Sequence, residues 1–315
     1  MNALVTGAAG FIGSQLTATL LDRGATVVGV DCFTDYYARS IKEKNLEDTR
    51  RRPGFRFVES SIADADLAGL LEGVTHVFHL AAQAGVRKSW GRDFKAYTVN
   101  NVDATQTLLE ACVGQPIERF VYASSSSVYG NAAAIPMSES ALPQPVSPYG
   151  VTKLAAEHLC MLYHANHGVQ ACAMRYFTVY GPRQRPDMAF HRFIKAALRE
   201  EPISLYGDGG QTRDFTFVAD TVAATIAASQ CGVPGRAYNV GGGSRVSMNE
   251  VLQIIERTVG HPLTITREAA QKGDMRDTYA DTTRARADLG FVPSISLEEG
   301  IQEQYRWLAS SSVLV

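Results

Sequence analysis

No uninterrupted apolar run in the chain approaches the roughly 18 residues that a membrane-crossing helix needs, so no membrane span is expected. Cysteine is scarce: Cys32, Cys112, Cys160, Cys172 and Cys231 are odd in number and show no CxxC pairing. Disulfide frameworks and cysteine metal sites need closer, paired spacing, so buried free thiols are expected. The seven histidines show no HxxxH or HExxH spacing, which leaves no expected metal site, and His79 in Val77-Phe78-His79-Leu80 is expected to be a hydrogen-bonded strand residue. An excess of one charge is missing too. The formal net charge of −2 gives no global basic field to recruit nucleic acid or an anionic membrane. The basic run Arg50-Arg51-Arg52 meets Pro53 and Gly54 at once and reads as a solvated loop. The N-terminus lacks a basic segment, and Gly7, Gly10 and Gly13 break its apolar residues, unlike a signal peptide. A cytoplasmic location is expected.

What is present is an ordinary globular composition, 45% hydrophobic and 20% charged over 315 residues, enough for one large domain or two unequal ones. Residues 2–6 read as a buried strand, and Ile12 to Leu21 repeats apolar residues at helical spacing. Further strands are expected at Thr26–Val30, Phe55–Val58, His76–Leu80, Arg119–Ala123 and Val169–Arg175, with helices at Val102–Cys112 and Thr152–His164 between them. Strands alternating with helices imply βαβ units and a doubly wound parallel sheet, an α/β fold. After about residue 176 the loops become richer in Gly, Pro and Arg, so a smaller C-terminal substrate domain is expected over the carboxyl ends of the strands. The expected division is 1–176 and 177–315, with about 214–241 returning to the first part through strand-like Asp214–Val218 and Ala237–Val240.

Gly7-Ala8-Ala9-Gly10-Phe11-Ile12-Gly13 joins the first strand to the first helix. Glycines there permit a tight turn and close backbone approach, while the helix N-terminus faces a pyrophosphate; in this context the segment is the fingerprint of a Rossmann-type dinucleotide site. Asp31 closes the second strand about 20 residues on, where a carboxylate accepts hydrogen bonds from ribose hydroxyls and repels a 2′-phosphate. Cys32 and Phe33 come next rather than Arg, so NAD is expected instead of NADP.

Tyr149 and Lys153 stand four residues apart at the start of a predicted helix and so share one face. An adjacent ammonium, and a bound nicotinamide that is positive when oxidised, are expected to lower the phenol from its reference of about 10 towards a working general base. Ser124-Ser125-Ser126-Ser127 succeeds a strand and should bring hydroxyls to the same sheet edge.

Together the glycine loop, Ser124–Tyr129 (SSSSVY) and Ser147–Lys153 (SPYGVTK) resemble the extended short-chain dehydrogenase/reductase family, specifically its nucleotide-sugar epimerases and dehydratases, and the resemblance runs through nearly the whole chain. It implies that Ser125 assists Tyr149, that Asn101 lies near the cofactor and that Gln83 stands by the nicotinamide. Ile62 and Leu80-Ala81-Ala82 complete the expected cofactor set. It also implies a shared first step, in which Tyr149 takes the C4 hydroxyl proton while the C4 hydride moves to a tightly bound, recycled NAD, leaving a 4-keto sugar. A homodimer is expected by analogy, through the helices after Phe94 and after Tyr149.

The fate of that 4-keto sugar depends on the neighbouring side chains. Similar 4,6-dehydratases carry an Asp-Glu pair where this chain has Ser126 and Ser127, and UDP-glucuronate decarboxylases place a glutamate at Ser127. Epimerisation remains. Thr178 and the run Arg185-Pro186-Asp187-Met188 are similar to UDP-glucuronate 4-epimerases, and the Arg185 fork suits a C6 carboxylate. Arg87 is a second cation for an acidic substrate, Arg213 and Arg276 match positions that hold the diphosphate, and Tyr206 can lie near the uracil. The expected activity is NAD-dependent interconversion of UDP-glucuronate and UDP-galacturonate. The alternatives are a UDP-glucose/galactose 4-epimerase, a UDP-glucuronate decarboxylase, and an NAD-binding protein without catalysis, the last disfavoured by the retained Tyr149 and Lys153.

Overall fold

The computed structural model describes residues 1–131, 134–269, 273 and 275–310. The first half alternates as expected: β1 (Asn2–Thr6), α1 (Phe11–Asp22), β2 (Thr26–Asp31), α2 (Arg39–Leu46), β3 (Phe55–Glu59), α3 (Leu67–Leu71), β4 (His76–His79), α4 (Phe94–Tyr97), a π-helical stretch Thr98–Asp103, α5 (Ala104–Cys112), β5 (Arg119–Ser125), α6 (Pro148–His167) and β6 (Ala171–Tyr176). After it come β7 (Thr178–Tyr180), α7 (Ala189–Leu198), β8 (Ile203–Tyr206), β9 (Thr212–Phe217), α8 (Val218–Cys231), β10 (Ala237–Val240), β11 (Arg245–Ser247), α9 (Met248–Val259), β12 (Ile265–Glu268), α10 (Thr283–Leu289) and α11 (Leu297–Ser310).

Seven strands form one parallel sheet in the order β10-β6-β5-β4-β1-β2-β3. The order reverses beside β1, which opens a crevice at the carboxyl ends of β1 and β4. Successive side chains feed opposite faces. Ala3 and Val5 of β1, with Val121 and Ala123 of β5, enter one core, while Leu4, Phe120 and Tyr122 enter the other. The first core runs on without a break into Phe190, Leu205, Phe215, Val251 and Leu308, so the later elements pack onto the sheet through the same apolar layer. Of the two later segments, β10 pairs with β6 in the large sheet, whereas β9 lies between β11 and β7 in a separate three-stranded sheet.

Helix α6 positions the chemistry, and its ends are marked in the sequence. Ser147 accepts the Gly150 N–H at 3.1 Å as N-cap, Pro148 fills the first turn, and Gly168 ends the helix at φ 71°. Its inward face carries Glu157, which is 3% exposed. Arg175 Nη2 of β6 donates to Glu157 Oε1 at 2.6 Å, and Ser124 Oγ of β5 donates to Oε2 at 2.5 Å. His79 is a hydrogen-bonded strand residue, with Nδ1 2.7 Å from Thr6 Oγ1 and Nε2 2.9 Å from Thr105 Oγ1; burial holds its pKa down at about 3, so it stays neutral. Cys112, Cys160 and Cys172 are buried free thiols.

Removing one member of a buried, hydrogen-bonded ion pair strands the other charge. Glu157→Ala is therefore expected to lower unfolding free energy by about 3–5 kcal/mol in urea denaturation. A loss below ~1 kcal/mol would mean that the pair does not secure α6.

Candidate active site

Two clefts meet at the carboxyl edge of the sheet. The first is lined by Gly7, Gly10, Phe11, Ile12 and Gly13 at one side and by Asp31 and Ile62 at one end. It continues past Leu80, Ala81, Ala82 and Gln83 to Tyr149 and Lys153. Glycine is required here by contact. A Cβ on Gly7, at φ +72°, would sit 2.9 Å from Ala81 N, and one on Gly13 would fall on the Gly7 carbonyl oxygen. With Gly10 as the N-cap of α1 and no side chain capping it, the helix N-terminus presents its N–H groups to the cleft. Asp31 is fixed by the Ala9 N–H (3.1 Å to Oδ2) and the Phe33 N–H (2.9 Å to Oδ1). Lys42 Nζ, also buried, lies 3.8 Å from Oδ1, a cation that nothing in the spacing around Asp31 announces. An uncapped helix end flanked by obligatory glycines, with a carboxylate fixed at the far end, fits a dinucleotide such as NAD.

The second cleft, of about 520 Å³, is lined by Ser125, Ser126, Ser127, Thr178, Tyr206 and Arg213 and shares Tyr149 and Arg185 with the first. Among the described lining residues, Arg87, Lys88, Arg185, Arg192 and Arg213 face a single carboxylate, Asp187. Such a surface suits a ligand carrying several negative charges. The Arg87 guanidinium lies 4.4 Å from the centre of the Tyr206 ring, so these two expected residues meet. Arg213 donates from Nη1 to the carbonyls of Thr212 (2.9 Å) and Arg276 (2.7 Å). The Arg276 side chain is not among the described lining residues; it is 78% exposed, and only its carbonyl faces inward, towards Arg213.

Tyr149 sits where the clefts join. Burial raises its pKa, while a hydrogen bond from Ser125 and the positive field of Arg185 pull it down. Ser125 Oγ accepts the Ser127 N–H at 3.1 Å, which leaves its own proton for the phenol oxygen. The Lys153 Nζ stacks 4.5 Å over the Tyr122 ring, and Arg185 adds a lowering field on the phenol that the sequence did not announce. Burial pushes the Lys153 ammonium itself down to about 7, against the opposing pull of Cys160 and Glu157.

Asn101 lies behind the cleft wall. Its Oδ1 accepts the Gln83 N–H at 2.7 Å, and its Nδ2 donates to Gln83 O (3.1 Å) and Thr152 Oγ1 (3.0 Å), clamping the strand end to the first turn of α6. Tyr97, Tyr36 and Asp187 were among the residues not anticipated. Tyr97 sets its ring edge against Tyr149 at 6.3 Å and donates to the Gly85 carbonyl, and Asp187 grips Arg185 while accepting a hydrogen bond from Tyr36. Asp187 stood two residues from Arg185 in the same motif, which was its only signal.

Residues 3–241 match the NAD dependent epimerase/dehydratase family, and the chain belongs to it. It is 45% identical over 98% of its length to the protein named uncharacterized UDP-glucose epimerase YtcB of Bacillus subtilis (strain 168), covering 98% of that protein. It is 36% identical to the UDP-glucuronate 4-epimerase of Thermodesulfobacterium geofontis (strain OPF15), covering 99% of this chain and 97% of that one. The crystal structure of UDP-glucuronic acid 4-epimerase from Bacillus cereus, in complex with UDP-glucuronic acid and NAD, superposes with a TM-score of 0.96 at 43% identity, covering 98% of this chain and 99% of that one.

A methyl at Gly13 has to displace the Gly7 carbonyl. Gly13→Ala is expected to weaken NAD binding at least about tenfold by isothermal titration while the far-ultraviolet spectrum stays that of the parent. Unchanged affinity would show that the loop does not cradle the cofactor.

Proposed function

We propose that the chain interconverts UDP-glucuronate and UDP-galacturonate by C4 epimerisation through a transient 4-keto sugar. One observation carries this reading: Arg185 lines both clefts beside Tyr149, in a cavity whose other charged residues, among those described, are the cations Arg87, Lys88, Arg192 and Arg213 and the one carboxylate Asp187. A sugar whose C4 hydroxyl meets Tyr149 therefore has a carboxylate-binding fork within the same small space. Bound NAD supplies the chemistry of accepting a hydride at C4 and returning it.

The chain's own residues do the rest. Tyr149 takes the proton from the C4 hydroxyl as that carbon is oxidised and gives it back on reduction, with Ser125 donating a hydrogen bond to the phenol oxygen. Glu157 holds α6, and with it Tyr149 and Lys153, against the strand ends. Arg87, Arg213 and Tyr206 are the proposed contacts for the nucleotide diphosphate and base, while Thr178, Ser126 and Ser127 hydrogen-bond the sugar and leave it room to turn. Elimination of water would need a carboxylic acid near the sugar. Among the described lining residues of this cleft the one acid, Asp187, is already paired with Arg185. Held by Arg185, the substrate carboxylate is also restrained from leaving the 4-keto intermediate, a β-keto acid.

The proposed division of labour is that residues 1–176 hold NAD together with β10, and 177–315 mainly hold the nucleotide sugar. We also propose cytoplasmic action, in keeping with free thiols, and a homodimer. Support for the dimer comes from α6, which exposes Val151 (48%) and Leu162 (55%) three turns apart on one face, and from exposed Phe94 of α4 and Val99 of the π-helical stretch, elements that both pack on α6. A second activity, on UDP-glucose, is favoured by the pairing of Arg185 with Asp187, which balances the Arg185 charge when the sugar is neutral.

Proton NMR of the enzyme with UDP-glucuronate should show UDP-galacturonate. UDP-xylose, or a persistent 4-keto product, would sink the reading. Tyr149→Phe should lower kcat by about 10²- to 10⁴-fold, and Arg185→Ala should lower kcat/KM for UDP-glucuronate by roughly 10- to 100-fold. Leu162→Asp should halve the mass seen in sedimentation, and an unaltered mass would remove α6 from the interface.

A further inference from the structure

Arg185 and Asp187 form a side-on fork. Nε donates to Oδ1 and Nη2 to Oδ2, each at 3.0 Å. Asp187 is held in turn from the other lobe, because Tyr36 donates to its Oδ2 at 3.3 Å. Tyr36 is itself wedged against Gly85, where at φ +98° a Cβ would fall on its hydroxyl. Arg185 keeps 20% of its side chain exposed and Asp187 keeps 33%, so the pair lines the cavity rather than lying beneath it. A side-on pair uses Nε and one hydrogen of Nη2. The Nη1 hydrogens and the second Nη2 hydrogen make a further, end-on fork that a second carboxylate can occupy.

This geometry sets the charge balance. When the sugar carries a neutral hydroxymethyl group, Asp187 already balances Arg185, and no mostly buried cation is left without a partner. When the sugar carries a carboxylate, that group takes the end-on fork, but it meets a guanidinium whose field Asp187 has partly cancelled. We infer that Asp187 is a specificity-determining residue: as the resident counter-ion of Arg185, it keeps the cavity open to neutral UDP-hexoses and tempers its preference for UDP-hexuronates. This rests on the reading that Arg185 meets the C6 substituent of the substrate.

The test compares the full-length wild type with Asp187→Asn, which keeps the size of the side chain and removes its charge. For each, kcat and KM are measured with UDP-glucuronate and with UDP-glucose. The expected result is a rise of at least about tenfold in the ratio of kcat/KM for the acid over the neutral sugar, carried mainly by a higher KM for UDP-glucose. Asp187→Glu, which restores the charge, should return the ratio to within about threefold of wild type. A purely structural role would lower both sugars alike and would not be rescued in this pattern. Asp187→Ser, a second neutral replacement, serves the same comparison if the amide fails to fold. A ratio that stays constant or falls in a folded neutral variant overturns the inference. So does a wild-type enzyme that neither binds nor turns over UDP-glucose. A wild type that turns over neither sugar nucleotide would instead sink the underlying reading of function.

Discussion

The buried pair between Glu157 and Arg175 joins the parts of the molecule that must meet for the chemistry to occur. Glu157 lies one turn beyond Lys153 and two beyond Tyr149, so whatever fixes it also fixes the start of the face that reaches the site. Its two oxygens are shared between Arg175 on β6 and Ser124 on β5. Arg175 passes the connection on through Nη1 to the Tyr129 hydroxyl (2.8 Å), which donates to Asn239 of β10 (2.7 Å). Isolated charges in such a place would be strongly unfavourable, and their cost is offset only because every partner is hydrogen-bonded in good geometry. The network holds α6 and the carboxyl ends of three strands in one register. Slippage of the helix by one residue would turn Tyr149 away from Ser125.

Given that frame, the electrostatics of the two clefts differ in a useful way. The first is shaped chiefly by backbone: a helix end, obligatory glycines and one carboxylate held by two N–H groups. Its selectivity comes from close approach and from the sign of one charge. The second is shaped by side chains, with cations spread along its wall and Tyr149 at the junction. Burial alone would keep that phenol protonated, and Ser125 and Arg185 work against it from the sugar side. The residue proposed to recognise the carboxylate thus also assists the base, so binding and chemistry are coupled through Arg185.

Legibility in the sequence tracked the range of the interaction. The glycine loop, Asp31 and the Tyr149/Lys153 pair are local patterns whose spacing sets their geometry, and the strands of the large sheet were visible as short apolar runs. Partnerships across the fold were not. Tyr36 and Asp187 are 151 residues apart, and no periodicity joins them. Glu157 could have been noticed as a carboxylate on the inward face of a helix, where a charge demands a partner, but the partner, on β6, could not. Asn101 was expected near the cofactor; what the sequence did not announce is that it clamps Gln83, which lines the cofactor cleft, to Thr152. Arg276 was expected near the diphosphate; its side chain is 78% exposed, and its carbonyl accepts a hydrogen bond from Arg213. Such partners depend on tertiary packing that local spacing does not encode.

In the proposed reaction the recycled cofactor would remove and return the same hydrogen at C4, while Tyr149 moves the proton of the C4 hydroxyl. UDP-glucuronate deuterated at C4, incubated with the enzyme in ordinary water and taken to equilibrium, puts this to the proof. UDP-galacturonate should form with its C4 deuterium fully retained. Loss of the label to solvent would contradict the mechanism, and would point to inversion by proton exchange at carbon.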